Sequence, residues 1–407
     1  MQSNAPIDAP APIRTSEYRE RLSRVQAEMA TAGLDALFIT SEDNFRWLTG
    51  FNAPVWQNLT RPRYCIVPAH GDPVLILPSG NDVIANRTAA WIRDVRSWAA
   101  PNPVDDGVTL VIDALAGCTG AHRRIGAELG RESRVTMPIG DFLRIREGIA
   151  PAQMVDADWM LRTLRMVKSP AEIAIMRHVC QLVSRAFEAL PGLVRIGDTE
   201  RDVAAAFQCE VLRNGGEKIP YLICTSASGG YPCSNMGPSD RVLEAGDVLM
   251  IDTGVSCDGY YCDFDRDYAF GPPSEQVRRA YDLVWRATEA GIAAARPDQR
   301  ACDVWRAQAE VLAGWDNAGA EREGFGVGRY GHGVGLRMCE PPSNSPTDEQ
   351  PLRERMTLTI EPGLTYHVDG SGGKEKRVLL HEENVVLTAT GCELLTRRAP
   401  REIPVIE

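Results

Sequence analysis

The 407-residue chain predicts two domains, an α/β domain followed by an α+β domain. Three observations lead there. Helical and strand-like stretches alternate up to about residue 150. A helical pattern is then broken at Lys168-Ser169-Pro170, where Ser169 caps, Pro170 takes the first helical position and Glu172 adds early negative charge. Beyond that point, apolar strand-like runs are repeatedly interrupted by single acids. The expected organisation is a loose Pro- and Ala-rich leader over 1–15, an N-terminal domain over 16–160, a C-terminal domain over 161–399 and a tail over 400–407.

The elements follow in order. Residues 16–35 carry Leu22, Val25 and Met29 at helical spacing, with Ser16 as the expected cap and Gly33 as the stop. ALFIT at 36–40 reads as a short buried strand. YCIVP at 64–68 and PVLILP at 73–78 flank the turn AHGD and read as a hairpin. VTLVID at 108–113 and RRIGAE at 123–128 read as further strands. The second half predicts helices over 199–215, 274–296 and 300–315, with strands between and after them.

Bulk properties exclude some classes of function. A net charge of −11 argues against nucleic acid as a partner. No apolar run reaches the length of a membrane span, and the leader lacks an apolar h-region. Eleven scattered cysteines without a Cys-x-x-Cys pair suggest reduced thiols and a cytoplasmic protein.

The chemistry lies in the interrupted strands. Val248–Ile251 is a core-like run that ends on Asp252; a turn follows at Asp258-Gly259, and the returning run carries Asp263, Asp265 and Asp267. Antiparallel pairing can bring Asp252 and Asp263 onto one face. Bare carboxylates that close repel, and a dication removes the conflict. GRYGHGVGLRM sets His332 among glycines, and MTLTIEPGL ends an apolar strand on Glu361. In RVLLHEENVVLT an acid interrupts another strand, but local alternation does not choose between Glu382 and Glu383. Two Asp, one His and two Glu fit two divalent ions about 3.5–4 Å apart, bridged by carboxylates.

In this order, IDTG…GYYCDFDRDYAFG, GHGVGL, LTIEPGL and HEENVVLTATGCELLT resemble the successive motifs of the pita-bread metallopeptidases, which include Xaa-Pro aminopeptidases, prolidases, methionine aminopeptidases and creatinases. LRMVKSPAEIAIMR is similar to the segment that opens that domain. EDNFRWLTGF and TRPRYCIVP resemble the N-terminal domain of the Xaa-Pro and creatinase branch. The resemblance implies an α/β creatinase-like domain, then a domain with a curved antiparallel sheet backed by helices. It also implies Asp252, Asp263, His332, Glu361 and Glu382 as metal ligands, and so decides the last register for Glu382. Two divalent ions (Mn, Fe, Co or Zn), Glu361 as proton acceptor, and a dipeptide or amide-like substrate are its further implications.

The departures are as informative. The family's histidine before the first ligand falls on Asn235, and its histidine seven residues after the ligand histidine falls on Cys339. Both positions are expected to face substrate, and neither side chain can replace an imidazole in proton transfer near neutral pH. His367, six residues after Glu361, is the expected compensating shuttle, whereas the parity of His381 turns it away from the metals. Trp56, in the loop FNAPVWQNLTRPRY, is expected to rim the partner's site in a homodimer. A metal-dependent lyase of the same fold, cleaving dimethylsulfoniopropionate, and a binding protein on an inactive scaffold stand as alternatives to the hydrolase.

Overall fold

The computed structural model describes residues 7–56, 60–315 and 328–407. The chain divides into two compact units, one over Pro12–Arg165 and one over Met166–Glu407, the latter joined by the described N-terminal residues up to Ala11. Residues 1–6 of the expected leader and 57–59 of the Trp56 loop lie outside the described residues.

The first unit is built on a six-stranded mixed sheet. Its strands, in spatial order, are Asp94–Trp98, Val74–Pro78, Tyr64–Pro68, Ala36–Ile39, Arg124–Ala127 and Gln153–Asp156. The hairpin expected over 64–78 is present, with Tyr64 opposite Ile76. The opening helix runs Thr15–Ala32 and buries Leu22, Val25 and Met29; Gly33 closes it in the left-handed region at φ 63°. Ser16 does not cap it, because the helix starts one residue earlier and Arg14 holds the extended cap position. VTLVID is not a strand either, because Val108–Cys118 is a helix. Its buried residues, Val108, Val111, Ala114 and Leu115, follow a helical period that becomes visible once DALAGC is read with it. They pack on Phe38, Tyr64 and Ile66 of the sheet.

The second unit carries the interrupted strands. One sheet runs Val405–Ile406, Phe264–Phe270, Asp247–Cys257 and Lys218–Ser228 in spatial order. The C-terminal residues are therefore part of the sheet, with Val405 and Ile406 lying parallel to Ala269 and Phe270. A second antiparallel sheet runs Glu340–Ser343, His332–Gly333, Thr357–Ile360, Glu383–Leu387 and Cys392–Leu394. Gly363–His367 and Lys376–Leu380 form a separate two-stranded ribbon.

Helices back both sheets. Pro170–Ala189 begins with the full capping box of Ser169 and Glu172. Glu200–Arg213 and Glu275–Ala294 begin at Thr199 and Ser274, both of which accept a backbone N–H. Glu275–Ala294 buries Val277, Tyr281 and Val284 against Val248, Met250 and Ala269. Ala301 and Val304, from the helix Ala301–Leu312, pack with Leu358, Ile360 and Val385. Each such Val, Leu, Ile or Met side chain contributes about 1.5–3 kcal/mol on burial. A one-residue slip would turn these apolar rows out of the core, so packing holds the strands in the register that aims the acids.

Candidate metal centre

The hairpin explains the first pair of acids. Asp258 and Gly259 both have positive φ, 46° and 80°, the two-residue turn that matches strand twist. Ser256 pairs with Tyr261 and Thr253 with Phe264, so the register is continuous. It sets Asp265 directly opposite Asp252 and leaves Asp263 as its diagonal neighbour on the same face. Gly254 is the glycine of IDTG, and a Cβ there would come within 2.4 Å of the Tyr221 ring. That ring stands over the hairpin: its hydroxyl is 2.9 Å from Asp252 Oδ1 and in close contact with Asp263 Oδ1.

The second sheet supplies the other side chains. Ile360 pairs with Glu383 in antiparallel register, so continuing the ladder by one residue brings Glu361 opposite Glu382. His332 lies on the neighbouring strand, its N–H bonded to Thr359 Oγ1 at 3.0 Å. Its Nδ1 is 2.9 Å from the Gly333 carbonyl, an arrangement that puts the ring proton there and leaves the Nε2 lone pair available. Gly331, just before it, has φ 136°, and a Cβ would sit 2.2 Å from the Thr359 carbonyl oxygen.

These residues converge. His332 Nε2 is 3.5 Å from Asp263 Oδ2 and 3.5 Å from Glu361 Oε1. Ligating atoms of Asp263, His332 and Glu382 all lie within 4.8 Å of one another. Tyr221 ties Asp252 to Asp263. All five side chains are buried, and Glu382 Oε1 has no hydrogen-bond partner among the described residues. Burial pushes every one of these carboxyls up, Asp252 to about 6 and Glu361 to about 8, with Asp263 and Glu382 well above the usual range. Burial also takes His332 down to about 3, so the imidazole is neutral. A neutral imidazole with its lone pair aimed at crowded buried carboxyls, one oxygen unpartnered, fits a divalent cation.

Glu382 and Glu383 separate cleanly. Glu383 accepts from Arg266 Nη2 and Arg398 Nη1, both at 3.1 Å, from the Ala399 N–H at 2.9 Å and from Thr396. That carboxylate is committed to a structural ion-pair network, and Glu382 is the one that reaches the cluster. Asp265 and Asp267 are buried on the hairpin's acid face as well. Asp265 Oδ1 accepts the Glu382 N–H at 2.5 Å, and burial lifts its carboxyl to about 8.

The residues expected around the ligands fare differently. Cys339 is half-buried, with its Sγ 3.7 Å from His332 Nε2 and 3.3 Å from Arg329 Nη2. Asn235 lies exposed in the loop between Lys218–Ser228 and Asp247–Cys257, its N–H turned to Cys233 Sγ. His367 ends the strand Gly363–His367, and its carbonyl accepts Gln276 Nε2 at 2.7 Å. Four residues of extended chain carry it roughly 13 Å beyond Gly363, away from the ligand end of that segment. His381 packs edge-on to Tyr281, ring centroids 4.8 Å apart. Trp56 packs on Phe45 and Phe51 of its own unit, with the Arg63 guanidinium 5.1 Å over its ring. The cost of an exposed aromatic, which motivated the inter-subunit expectation, is therefore met locally.

Three contributors have no local signal. Tyr221 sits 31 residues before Asp252 in an ordinary strand. Arg329, beside Cys339, is a lone cation in a glycine-rich loop. Asn384 clamps the Asp263 peptide: its Oδ1 accepts the Asp263 N–H at 2.9 Å and its Nδ2 donates to the Asp263 carbonyl. Asn384 lay within the quoted HEEN motif, but its partner is 121 residues away.

Comparison with known proteins places this geometry. Residues 174–389 match the model of Metallopeptidase family M24, and residues 21–167 match the Creatinase/Prolidase N-terminal domain. The chain is 30% identical to the probable dipeptidase PepE of Mycobacterium tuberculosis over 378 residues, 92% of this chain and 95% of that protein. It is 30% identical to the Xaa-Pro dipeptidase of Pyrococcus furiosus over 275 residues, 66% of this chain and 73% of that one. The crystal structure of dipeptidase PepE from Mycobacterium ulcerans superposes with a TM-score of 0.80 at 28% identity, covering 97% of this chain and 100% of that chain. These relatives are named as peptidases, and they give the lyase alternative no support. No helix among the described residues is long and apolar enough to cross a membrane. A creatinase-like unit precedes a pita-bread unit, and the chain belongs to metallopeptidase family M24.

Proposed function

We propose that the protein is a metallodipeptidase whose Asp252, Asp263, His332, Glu361 and Glu382 hold two divalent cations. The observation that carries this reading is the convergence of Asp263, His332 and Glu382 within 4.8 Å, with Glu361 at 3.5 Å from the same imidazole. Names of relatives, "dipeptidase" and "Xaa-Pro dipeptidase", support a dipeptide substrate. Bound cations would supply Lewis acidity to the scissile carbonyl and to a water.

The chain's own residues do the rest. Glu361 Oε1, oriented by Thr359 Oγ1 at 3.3 Å, takes the proton from the attacking water and returns it to the leaving amine. Tyr221 holds the two aspartates of the hairpin together, and Asn384 holds the peptide of Asp263. Arg329 brings a cation near Glu361 and Asp263, suited to a substrate carboxylate. Asn235 and Cys339 stand where the family's peptidases carry histidines, so hydrolysis of Xaa-Pro dipeptides is slower than in those enzymes by about 10²–10⁴-fold, the usual worth of general acid help.

The test is a panel of Xaa-Pro and non-proline dipeptides, assayed with the Mn-, Co- and Zn-loaded protein and with Glu361→Gln. The expectation is measurable dipeptide cleavage that disappears in Glu361→Gln while circular dichroism stays as in the parent. Cleavage that persists in Glu361→Gln, or no cleavage of any dipeptide by the loaded protein, overturns the proposal.

A further inference from the structure

We propose that Tyr366 and Tyr231 are positioning residues that fix the loop carrying Asn235 beside the metal centre. The proposal rests on the dipeptidase reading, in which Asn235 faces substrate, and adds what holds it there.

The ribbon of Gly363–His367 and Lys376–Leu380 is rooted in two of the glutamates. Glu361 lies two residues before Gly363, and Glu382 two residues after Leu380. Gly363 pairs with Leu380, and the His381 N–H donates to the Pro362 carbonyl at 3.2 Å, which closes the root. The ribbon grips the chain that leaves the strand Lys218–Ser228. Arg377 Nε donates to the Ser228 carbonyl at 3.0 Å, and Tyr366 Oη to the Gly229 carbonyl at 2.7 Å. Tyr231 and Val378 exchange both backbone hydrogen bonds, at 3.3 and 2.8 Å, and Tyr231 Oη accepts the Leu380 N–H. Gly230 lies between these contacts at φ 128°, and a Cβ there would come within 2.8 Å of Tyr366 Oη and of Arg377 Cβ.

Pro232 to Asn235 then run exposed or half-buried until the chain is tied again, where the Cys224 N–H donates to the Met236 carbonyl at 3.1 Å. Cys224 pairs with Ile251, the neighbour of Asp252. The arc that carries Asn235 therefore has one foot on the strand leading to Glu382 and the other opposite the residue before Asp252. So short an arc has little slack, and the place of its feet decides the place of Asn235.

Shape alone does not call for tyrosines here. Both rings are buried, and phenylalanine would fill nearly the same space. What each hydroxyl adds is a directed bond between ribbon and loop, worth about fivefold in the balance between a held and a released loop.

The experiment uses the full, manganese-loaded chain and its Tyr366→Phe variant. Gly229 is half-buried, so water can reach the carbonyl that loses its donor. In hydrogen exchange read by mass spectrometry, amides over 231–236 should exchange about fivefold faster in the variant, and those over 247–257 at the parent rate. With a dipeptide substrate, KM should rise about fivefold and kcat stay within about twofold, because binding is weakened and the chemistry is not. Asn235→Ala should raise KM alike, and the double variant no further than the larger single effect. Tyr231→Phe, which frees the Leu380 N–H, should also speed exchange over 231–236. Unchanged exchange in both tyrosine variants, additive effects on KM, or a fall in kcat at constant KM overturns the assignment. A parent that cleaves no dipeptide overturns the dipeptidase reading, and the exchange measurement still decides whether the tyrosines hold the loop.

Discussion

Stripping the divalent cations should make folding stability fall steeply as pH rises from 7 to 9. Burial raises Glu361 and Asp265 to about 8 in the folded, metal-free chain. Their unfolded values stay near 4, so across this window the folded state binds more protons than the unfolded one. Stability then declines with rising pH. A group at about 8 contributes about 1.4 kcal/mol more at pH 7 than at pH 9, so the two together lose about 3 kcal/mol. For a unit of this size that is roughly 6–12 °C in Tm. The depressed imidazoles His332 and His381 act with the opposite sign, but below pH 7, where the unfolded histidines still take protons. Buried thiols such as Cys65 and Cys224 are raised and lose stability in the same direction as the carboxyls. They do so with or without metal, so the informative quantity is the difference between the metal-free and metal-saturated proteins. Calorimetry or urea unfolding of both forms at pH 7, 8 and 9 measures it. A metal-free protein whose stability parallels that of the saturated form, or rises over this window, would refute the reasoning that these acids are held against their charge until a cation arrives.

Three further substitutions test the placement of single residues. Glu383→Gln should cost about 3–5 kcal/mol in urea unfolding, because Arg266 and Arg398 lose the buried carboxylate they share. Glu382→Gln in the metal-free protein should be neutral or stabilising at pH 8, since an amide needs no proton to stay neutral in a site where burial and the neighbouring acids oppose the charged carboxylate; equal costs for the two would mean their roles are misassigned. Gly331→Ala should destabilise by about 1–3 kcal/mol and lower cation content, because the new Cβ meets the Thr359 carbonyl at 2.2 Å and displaces His332. Full stability with a full complement of metal would contradict that account.

Much of the centre was legible because strand periodicity makes a buried acid conspicuous. Asp252 and Glu361 each end an apolar run, and a turn between two positive-φ residues returns Asp263 to the face of Asp252. Alternation also turned His381 away, and it packs on Tyr281. Where the reading failed, the deciding interaction lay outside the window that was read. VTLVID looks β-branched over six residues, and its helical period emerges only with the next five. Ser16 is a good cap by type, but the first turn begins a residue earlier.

The pair Glu382-Glu383 marks the limit more sharply. They are adjacent acids where one strand begins, and both are fully buried. What distinguishes them is what lies on each face of the sheet: two arginines, a hydroxyl and a backbone N–H for Glu383, and the acids and His332 for Glu382. Arg398 and Ala399, two of those partners, come from the C-terminal stretch, which follows the last strand of the second sheet and precedes the strand Val405–Ile406 of the first. Parity says that the two side chains must part, and tertiary contact says which goes where. The same holds for Cys339 and Asn235, equivalent departures by sequence. One touches the ligand imidazole and the other lies in an exposed loop, so the loss of two histidines has two different physical meanings. At Cys339 a thiol stands 3.7 Å from the His332 imidazole, whereas at Asn235 an amide that cannot change charge near neutral pH lies in an exposed loop.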